Sequence, residues 1–453
     1  MRETQNLDQL STSRLKDLLA HGEREETRDF LQSLHPADIA DLLDELEESE
    51  RLLAFNLLDD RSAAEVLDEA GPEASRTLLN SVPEARLAIL LATLPRYDAA
   101  ELLAELPEER AGTLLEHLPA EAARDIRELL SYQEHTAGRL MTKRFVRVQA
   151  QWTVEETIQY LRRLGPQREA FYNLYAVDER ERLVGIVPLR ALLTSPPEQL
   201  VRDIMRKQVM SVRVLTDQEE VARLVAKYDF VAIPVVDHAN KLVGVITVDD
   251  VVDVLTEEAT EDIQRLGGAE PLDQPYLTSS IPAVVRKRFG WLLLLFVAES
   301  LTGSVLRHFE HELQVVVGLA FFVPLLIGTG GNAGSQVVST VIRGLALQEI
   351  RFRDLPRVFW REILTGAFLG LLMATAGYVR AISWGSSPEL SMAVALALVA
   401  IVVWANAMGT LFPLVATRLG IDPTVMSAPF ISTIVDASGL FIYFSVAKLV
   451  LGI

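Results

Sequence analysis

One carboxylate inside a long apolar run is the residue in this chain best placed to do chemistry. Asp436 lies near the middle of the stretch 425–451, and a helix needs only ~20 apolar residues to cross a bilayer. A carboxylate at that depth is costly and generally functional. Ser432 stands four residues before it and shares its helix face, and Gly439 and Tyr443 continue the stripe. Pro429 is expected to interrupt the backbone ladder and free carbonyl oxygens, which is tolerable only toward protein or water. Asn332 and Asn406 add oxygens from other apolar stretches. Such a donor set suits a cation. Two copies of the chain across a two-fold axis would face two Asp436 carboxylates toward a shared pore. A small divalent cation gives up its waters reluctantly, so paired carboxylates around a hydrated ion make a reasonable filter. The competing reading makes Asp436 a packing hydrogen bond or ion pair, and the two asparagines interhelical hydrogen bonds. No Lys or Arg lies at mid-membrane depth to pair with Asp436.

A second set of carboxylates crowds residues 248–270. Asp250, Asp253, Glu257 and Glu261 recur at three- and four-residue spacing and form one acidic face, with Asp249, Glu258 and Asp262 beside it. Like charges at i,i+4 destabilise a helix, so this face is either solvated or neutralised by a bound cation. Glu65, Asp98 and Glu101, farther upstream, are solvated or metal-facing by the same reasoning.

Charge divides the chain in two. The first 282 residues hold 53 carboxylates against 31 Lys and Arg, a formal −22, while the remainder holds 9 against 12, or +3. An acidic soluble half disfavours nucleic acid and anionic lipid as its partners. There are no cysteines, which excludes disulfides and thiolate metal sites. The start, Met1–Gln9, lacks an apolar core, so no cleavable signal is expected and the soluble half is placed in the cytoplasm. No nucleophile–base pair, phosphate loop or His-rich metal motif is visible, and the seven His are scattered. An enzyme is not expected.

The later half reads as an all-α membrane domain over 283–453. Its five candidate spans are about 288–307, 314–346, 360–381, 391–417 and 425–451, the second interrupted by the run from Gly328 to Gln336. Arg286, Lys287 and Arg288 precede the first span. Arg343, Arg351, Arg353, Arg357 and Arg361 lie between the second and third, and Arg418 between the fourth and fifth. The positive-inside rule then puts the N-terminus in the cytoplasm and the C-terminus outside. The location is the cytoplasmic membrane, with the bilayer as a partner.

Residues 1–133 read as an α-helical superhelix. Pro83, Pro95, Pro107 and Pro119 recur every 12 residues, and Pro36 and Pro72 begin similar units; Pro suits the first turn of a helix. Residues 134–200 and 201–256 then form two similar α/β units, each reading strand, helix, strand, strand, helix. Thr153/Glu156 and Asp217/Glu220 are spaced as capping boxes. An acidic connecting helix, 248–275, leads to the membrane.

The order of these parts resembles the MgtE-type magnesium channel family over essentially the whole chain. The residues carrying the likeness are Gly328-Thr329-Gly330-Gly331-Asn332, Asp422-Pro423 with Pro429 and Asp436, tandem CBS-like units ending in Tyr228-Asp229-Phe230 and Thr247-Val248-Asp249-Asp250, and Glu258-Ala259-Thr260-Glu261-Asp262. The resemblance implies a homodimer with a pore lined by the second and fifth spans. It makes Asp436 the pore carboxylate, Asn332 a pore-mouth asparagine and Asp422 an acidic position below the pore. Asp217, Glu219, Asp229, Asp250, Asp253, Glu258, Glu261, Asp262 and Glu65 become regulatory magnesium ligands, and the acidic helix a plug. Tyr97 stands where some members carry Asp, which shifts attention to Asp98 and Glu101. Ala428 stands before Pro429 where a relative offers Asn.

The function implied is magnesium uptake through a channel that cytoplasmic magnesium closes. Two other functions remain open. One is a membrane sensor whose CBS pair binds an adenine nucleotide such as ATP, since Thr247 and Asp250 have the spacing that holds a ribose. The other is a divalent-cation carrier coupled to a proton or sodium gradient.

Overall fold

The computed structural model describes residues 2–164, 173–272, 276 and 279–453. Residues 273–275, the end of the expected plug segment, lie outside the described residues. Two compact units emerge, Met1–Glu258 and Ala259–Ile453.

The first unit opens with short helices whose boundaries follow the prolines. Pro36 and Pro72 are the first residues of Pro36–Asp44 and Pro72–Ser81. Pro83, Pro95, Pro107 and Pro119 cap Glu84–Thr93, Arg96–Ala104, Glu108–His117 and Ala120–Ser131. Each helix buries a Leu/Ala face in one continuous core that includes Leu43, Leu67, Leu79, Leu91, Leu103 and Leu115. Arginines answer the carbonyls that helix ends leave open. Arg86 bonds Asn56 Oδ1 at 2.7 Å and Leu58 O at 2.9 Å. Two repeat units later Arg110 bonds Asn80 Oδ1 at 2.7 Å and Leu79 O at 2.5 Å.

The paired α/β units follow the expected order. In the first, β1 (Arg147–Gln149) runs parallel to β2 (Asn173–Val177), which pairs antiparallel with β3 (Leu183–Pro188). In the second, β4 (Val212–Arg213), β5 (Ala232–Val236) and β6 (Leu242–Thr247) repeat that arrangement. The units interlock through methionines. A Cβ on Gly185 would come within 2.4 Å of Met205 Sδ, and one on Gly244 within 2.4 Å of Met141 Sδ. Glycine is therefore required where each unit receives the other's side chain. The Thr153/Glu156 capping box forms, with Thr153 N donating to Glu156 at 2.8 Å and Glu156 N donating to Thr153 Oγ1 at 3.2 Å. Asp217 instead caps through Glu219 N at 2.9 Å.

The second unit is helical. Helices Ile281–His308, Leu355–Ser383, Pro388–Arg418 and Ala428–Leu451 are each long, and four segments are apolar enough to cross a membrane, one of them counted from Phe352. Five were expected. The exception is Gly318–Ala346, which at 29 residues has the length to cross. Its Gly, Thr, Asn, Ser and Gln residues between 328 and 336 lower its apolar character. The expected interruption there is also corrected: the helix runs unbroken through 328–336. Glycines in a helix surrounded by close neighbours keep its ladder and admit backbones instead. A Cβ on Gly409 would stand 2.9 Å from Gly334 O, so Pro388–Arg418 and Gly318–Ala346 touch nearly backbone to backbone.

Candidate cation path and acidic clusters

Gly318–Ala346 and Ala428–Leu451 meet at Gly331, where an added Cβ would lie 3.2 Å from Ser432 Oγ and 3.4 Å from Asp436 Oδ1. Ser432 Oγ donates to Gly331 O at 3.3 Å and lies 3.1 Å from Ser335 Oγ, which itself donates to Ala428 O at 3.4 Å. The glycine thus brings a carbonyl, two hydroxyls and a carboxylate together. Asn332, Gln336, Ser339 and Thr340 continue along the exposed side of the first helix, and Ser432 and Asp436 are half-buried. A single chain therefore presents a polar stripe outward at the depth of lipid tails. Lipid cannot satisfy such a stripe, so it must face water or another protein surface.

Several expected contributors sit elsewhere. Pro429 is in the first turn of a helix beginning at Ala428. A missing N–H costs no ladder bond there, so the expected freed carbonyls are not created. Tyr443 turns inward and donates to Leu319 O at 3.1 Å, while Gly439 packs on Ile401, so the stripe ends at Asp436. Asn406 is buried and donates to Glu362 Oε2 at 3.2 Å, joining helices Leu355–Ser383 and Pro388–Arg418 rather than lining a path.

Glu299 went unnoticed as a candidate. It lies well inside Ile281–His308, the helix that packs against Ala428–Leu451, which carries Asp436. The signal was a carboxylate within an apolar run, the same feature that singles out Asp436.

Asp422 accepts from Thr424 N at 2.9 Å and also pairs with Arg265, which pairs in turn with Glu261. A guanidinium thus sits between two expected metal ligands.

In the first unit, Glu65, Asp98, Thr247 and Asp250 line a cleft of about 890 Å³ with Asp68 and Tyr97. Burial raises Asp68 to about 7, helped by repulsion from Glu69, Glu101, Asp253 and Asp250. Asp250 rises to about 6, chiefly by burial and against the hydrogen bond from Thr247, whose Oγ1 lies 2.5 Å from its carboxylate. Burial also raises Glu101, against a 2.5 Å hydrogen bond from Tyr97 Oη, and Asp253 rises by burial and the charge of Asp249. Asp68 was not anticipated; its sequence context is an ordinary amphipathic helix.

Other predicted ligands are engaged locally. Glu65 pairs with Arg61 at 3.2 Å and Glu219 with Arg223 at 3.9 Å. Asp229 ends helix Gln218–Tyr228 in the left-handed region at φ 51°. Gln218 donates to Glu258 at 2.9 Å, and Asp262 is half-buried. Among the described residues, no three His, Asp or Glu side chains converge to enclose a metal. The donors are hard carboxylate oxygens that suit magnesium, and their mutual repulsion is what bound positive charge relieves.

Fold and site together define a multi-span membrane transport protein with a cytosolic CBS pair. A family model described as a divalent cation transporter matches residues 323–446, one described as the MgtE intracellular N domain matches 34–135, and CBS domain models match 137–198 and 201–257. The magnesium transporter MgtE of Thermus thermophilus is 41% identical over 440 residues, spanning 96% of this chain and 98% of that protein. Its counterpart in Bacillus subtilis is 34% identical over 430 residues and 95% of each chain. The crystallised cytosolic domain of a Mg2+ channel MgtE in complex with ATP shares 39% identity and a TM-score of 0.52, covering 54% of this chain and 99% of that one. This chain belongs to the MgtE family, which is a family of divalent cation transporters and not of enzymes.

Proposed function

We propose that this protein takes up magnesium across the cytoplasmic membrane as a homodimeric channel closed by cytoplasmic magnesium. The relatives named as magnesium transporters support the ion. The observation that carries the path is the outward polar stripe of Asn332, Gln336, Ser432 and Asp436, which a second copy would enclose. In that enclosure Asp436 attracts a hydrated divalent ion, and Ser432 Oγ and Gly331 O accept hydrogen bonds from its waters. Low internal magnesium leaves the carboxylates of Glu65, Asp98, Glu101, Asp217, Glu219, Asp229, Asp250, Asp253, Glu258, Glu261 and Asp262 repelling one another, and the pore stays open. Bound magnesium would neutralise them and stabilise the compact closed state. Several weak sites acting together give a steep response, each worth about −4 kcal/mol at a Kd near 1 mM. A nucleotide such as ATP, held at Thr247 and Asp250, would modulate this closure; the ATP complex of the related cytosolic domain favours that addition.

The test is patch recording of the full-length protein in defined bilayers with stepped cytoplasmic magnesium. Magnesium currents that shut as internal magnesium rises through the millimolar range are expected. Flux that vanishes without a proton or sodium gradient would establish a coupled carrier instead.

A further inference from the structure

Helix Leu355–Ser383 has two faces of opposite character. Gly366, Gly370, Ala374, Gly377 and Ala381 are buried, and a Cβ on Gly370 would stand 3.0 Å from Val399 Cα. This is the face that packs on Pro388–Arg418. At about 100° per residue, Arg357, Trp360, Arg361, Leu364 and Phe368 fall within an arc of about 100° on the other side. Trp360 is 64% exposed, Leu364 59% and Phe368 70%. Arg353, Arg357 and Arg361 are exposed as well and follow at i,i+4 spacing.

Among the described residues, none of these three guanidiniums has an ion-pair or hydrogen-bond partner. The nearby carboxylates are committed: Asp354 accepts from Arg351 N at 3.1 Å and Glu362 from Asn406. Arg418, from the end of the neighbouring helix, adds a fourth positive charge over the Phe352 ring at 5.2 Å. The first turn of a helix carries the positive end of its dipole, where cations are disfavoured and anions welcome. Arg353 just before that turn, Arg357 within it and Arg361 one turn beyond concentrate positive potential that no carboxylate among the described residues pairs with.

We propose that this face binds an anionic phospholipid of the cytoplasmic leaflet. The phosphodiester lies against Arg353, Arg357 and Arg361, Trp360 sits at the interface, and one acyl chain runs along Leu364 and Phe368. The ordered sequence of charge, aromatic ring and exposed apolar side chains matches a lipid's own order of headgroup, interface and tail. A soluble phosphate would use the arginines but leave the apolar strip unexplained.

The test uses the full-length protein in nanodiscs of phosphatidylcholine with increasing phosphatidylglycerol. Trp360 emission, taken as the difference between wild type and Trp360→Phe, should be quenched more strongly by brominated phosphatidylglycerol than by brominated phosphatidylcholine at equal mole fraction. Native mass spectrometry should show retained phosphatidylglycerol. At about fivefold per basic residue, the combined change Arg353→Gln, Arg357→Gln and Arg361→Gln should weaken that retention roughly 100-fold. Arg380→Gln, at the far end of the same helix, should leave it unchanged. Equal quenching by both lipids overturns the proposal even if the triple variant fails to insert. So does equal retention by wild type and triple variant, which would leave these arginines a role in orienting the chain alone.

Discussion

The acidic half of the chain and its membrane half treat negative charge in opposite ways. The first 282 residues carry 53 carboxylates, and the structure gives many of them small local tasks: Asp217 caps a helix, Glu65 pairs with Arg61, and Glu101 accepts from Tyr97. The membrane unit carries few, and Asp436 and Glu299 stand within apolar helices with no cationic partner among the described residues. In water a carboxylate is inexpensive, so any one of a crowd is replaceable. At lipid depth each is costly, so it persists only where it acts. Redundancy should mark the acidic unit and singularity the membrane unit.

The largest effect expected from that contrast is at Asp436. Asp436→Asn keeps the side chain's volume and removes its charge, and magnesium flux into liposomes should fall roughly 100-fold, equivalent to about 2.7 kcal/mol. Expression and melting temperature should be nearly unchanged. Flux within a few-fold of wild type would mean the stripe is a packing surface.

The acidic unit should answer only to combined change. Neutralising Asp250, Asp253, Glu258 and Glu261 together should raise the cytoplasmic magnesium needed for half-closure by about tenfold, since sites acting together multiply their couplings. Any one of them changed alone should move it less than about twofold. A single substitution that matched the quadruple would break the comparison, because it would reveal one dominant ligand in the crowd.

Glu299 should fall between the two. It lies on a different helix from the stripe, one that packs against the helix carrying Asp436. Glu299→Gln is expected to lower the apparent affinity for permeating magnesium about three- to tenfold, read as a shift in the external concentration giving half-maximal current. An unchanged dose-response would assign this carboxylate to the lipid or dimer surface.

How much of this was legible in the residues varies with the range of the interaction that decides it. The proline period fixed the helix starts because Pro acts on its own turn. The strand–helix–strand–strand order followed from local patterning. Asp436 stood out because a charge in an apolar run needs no partner to be noticed. The continuity of Gly318–Ala346 was not legible, since glycines read as breakers until a neighbouring backbone such as that at Gly409 is seen against them. Asn406 is another such case: its partner Glu362 is 44 residues away, and nothing near Asn406 announces it. Asp68 became visible only once folding brought it beside Glu101 and Asp253.

Asp68 also gives the smallest effect, and the one that asks whether crowding in the acidic unit carries an energetic cost. Its carboxyl rises from 3.8 to about 7 through burial and repulsion, and Asp250 rises to about 6. A carboxyl raised on folding binds its proton more tightly in the folded state, so its contribution is fully present below the unfolded value and is lost as pH climbs through the folded one. With divalent ions chelated, the acidic unit of the full-length protein should therefore loosen between about pH 4 and 7. Amide exchange in helix Asp60–Glu69 should quicken several-fold over that interval beyond its intrinsic rise with pH. Asp68→Asn removes the titrating group and keeps the shape, so it should flatten most of the change, and saturating magnesium should flatten it in the wild type as well. Exchange that follows only the intrinsic rate in wild type would mean that the crowded carboxylates are already relieved by water, and that the acidic face is solvated rather than poised for a cation.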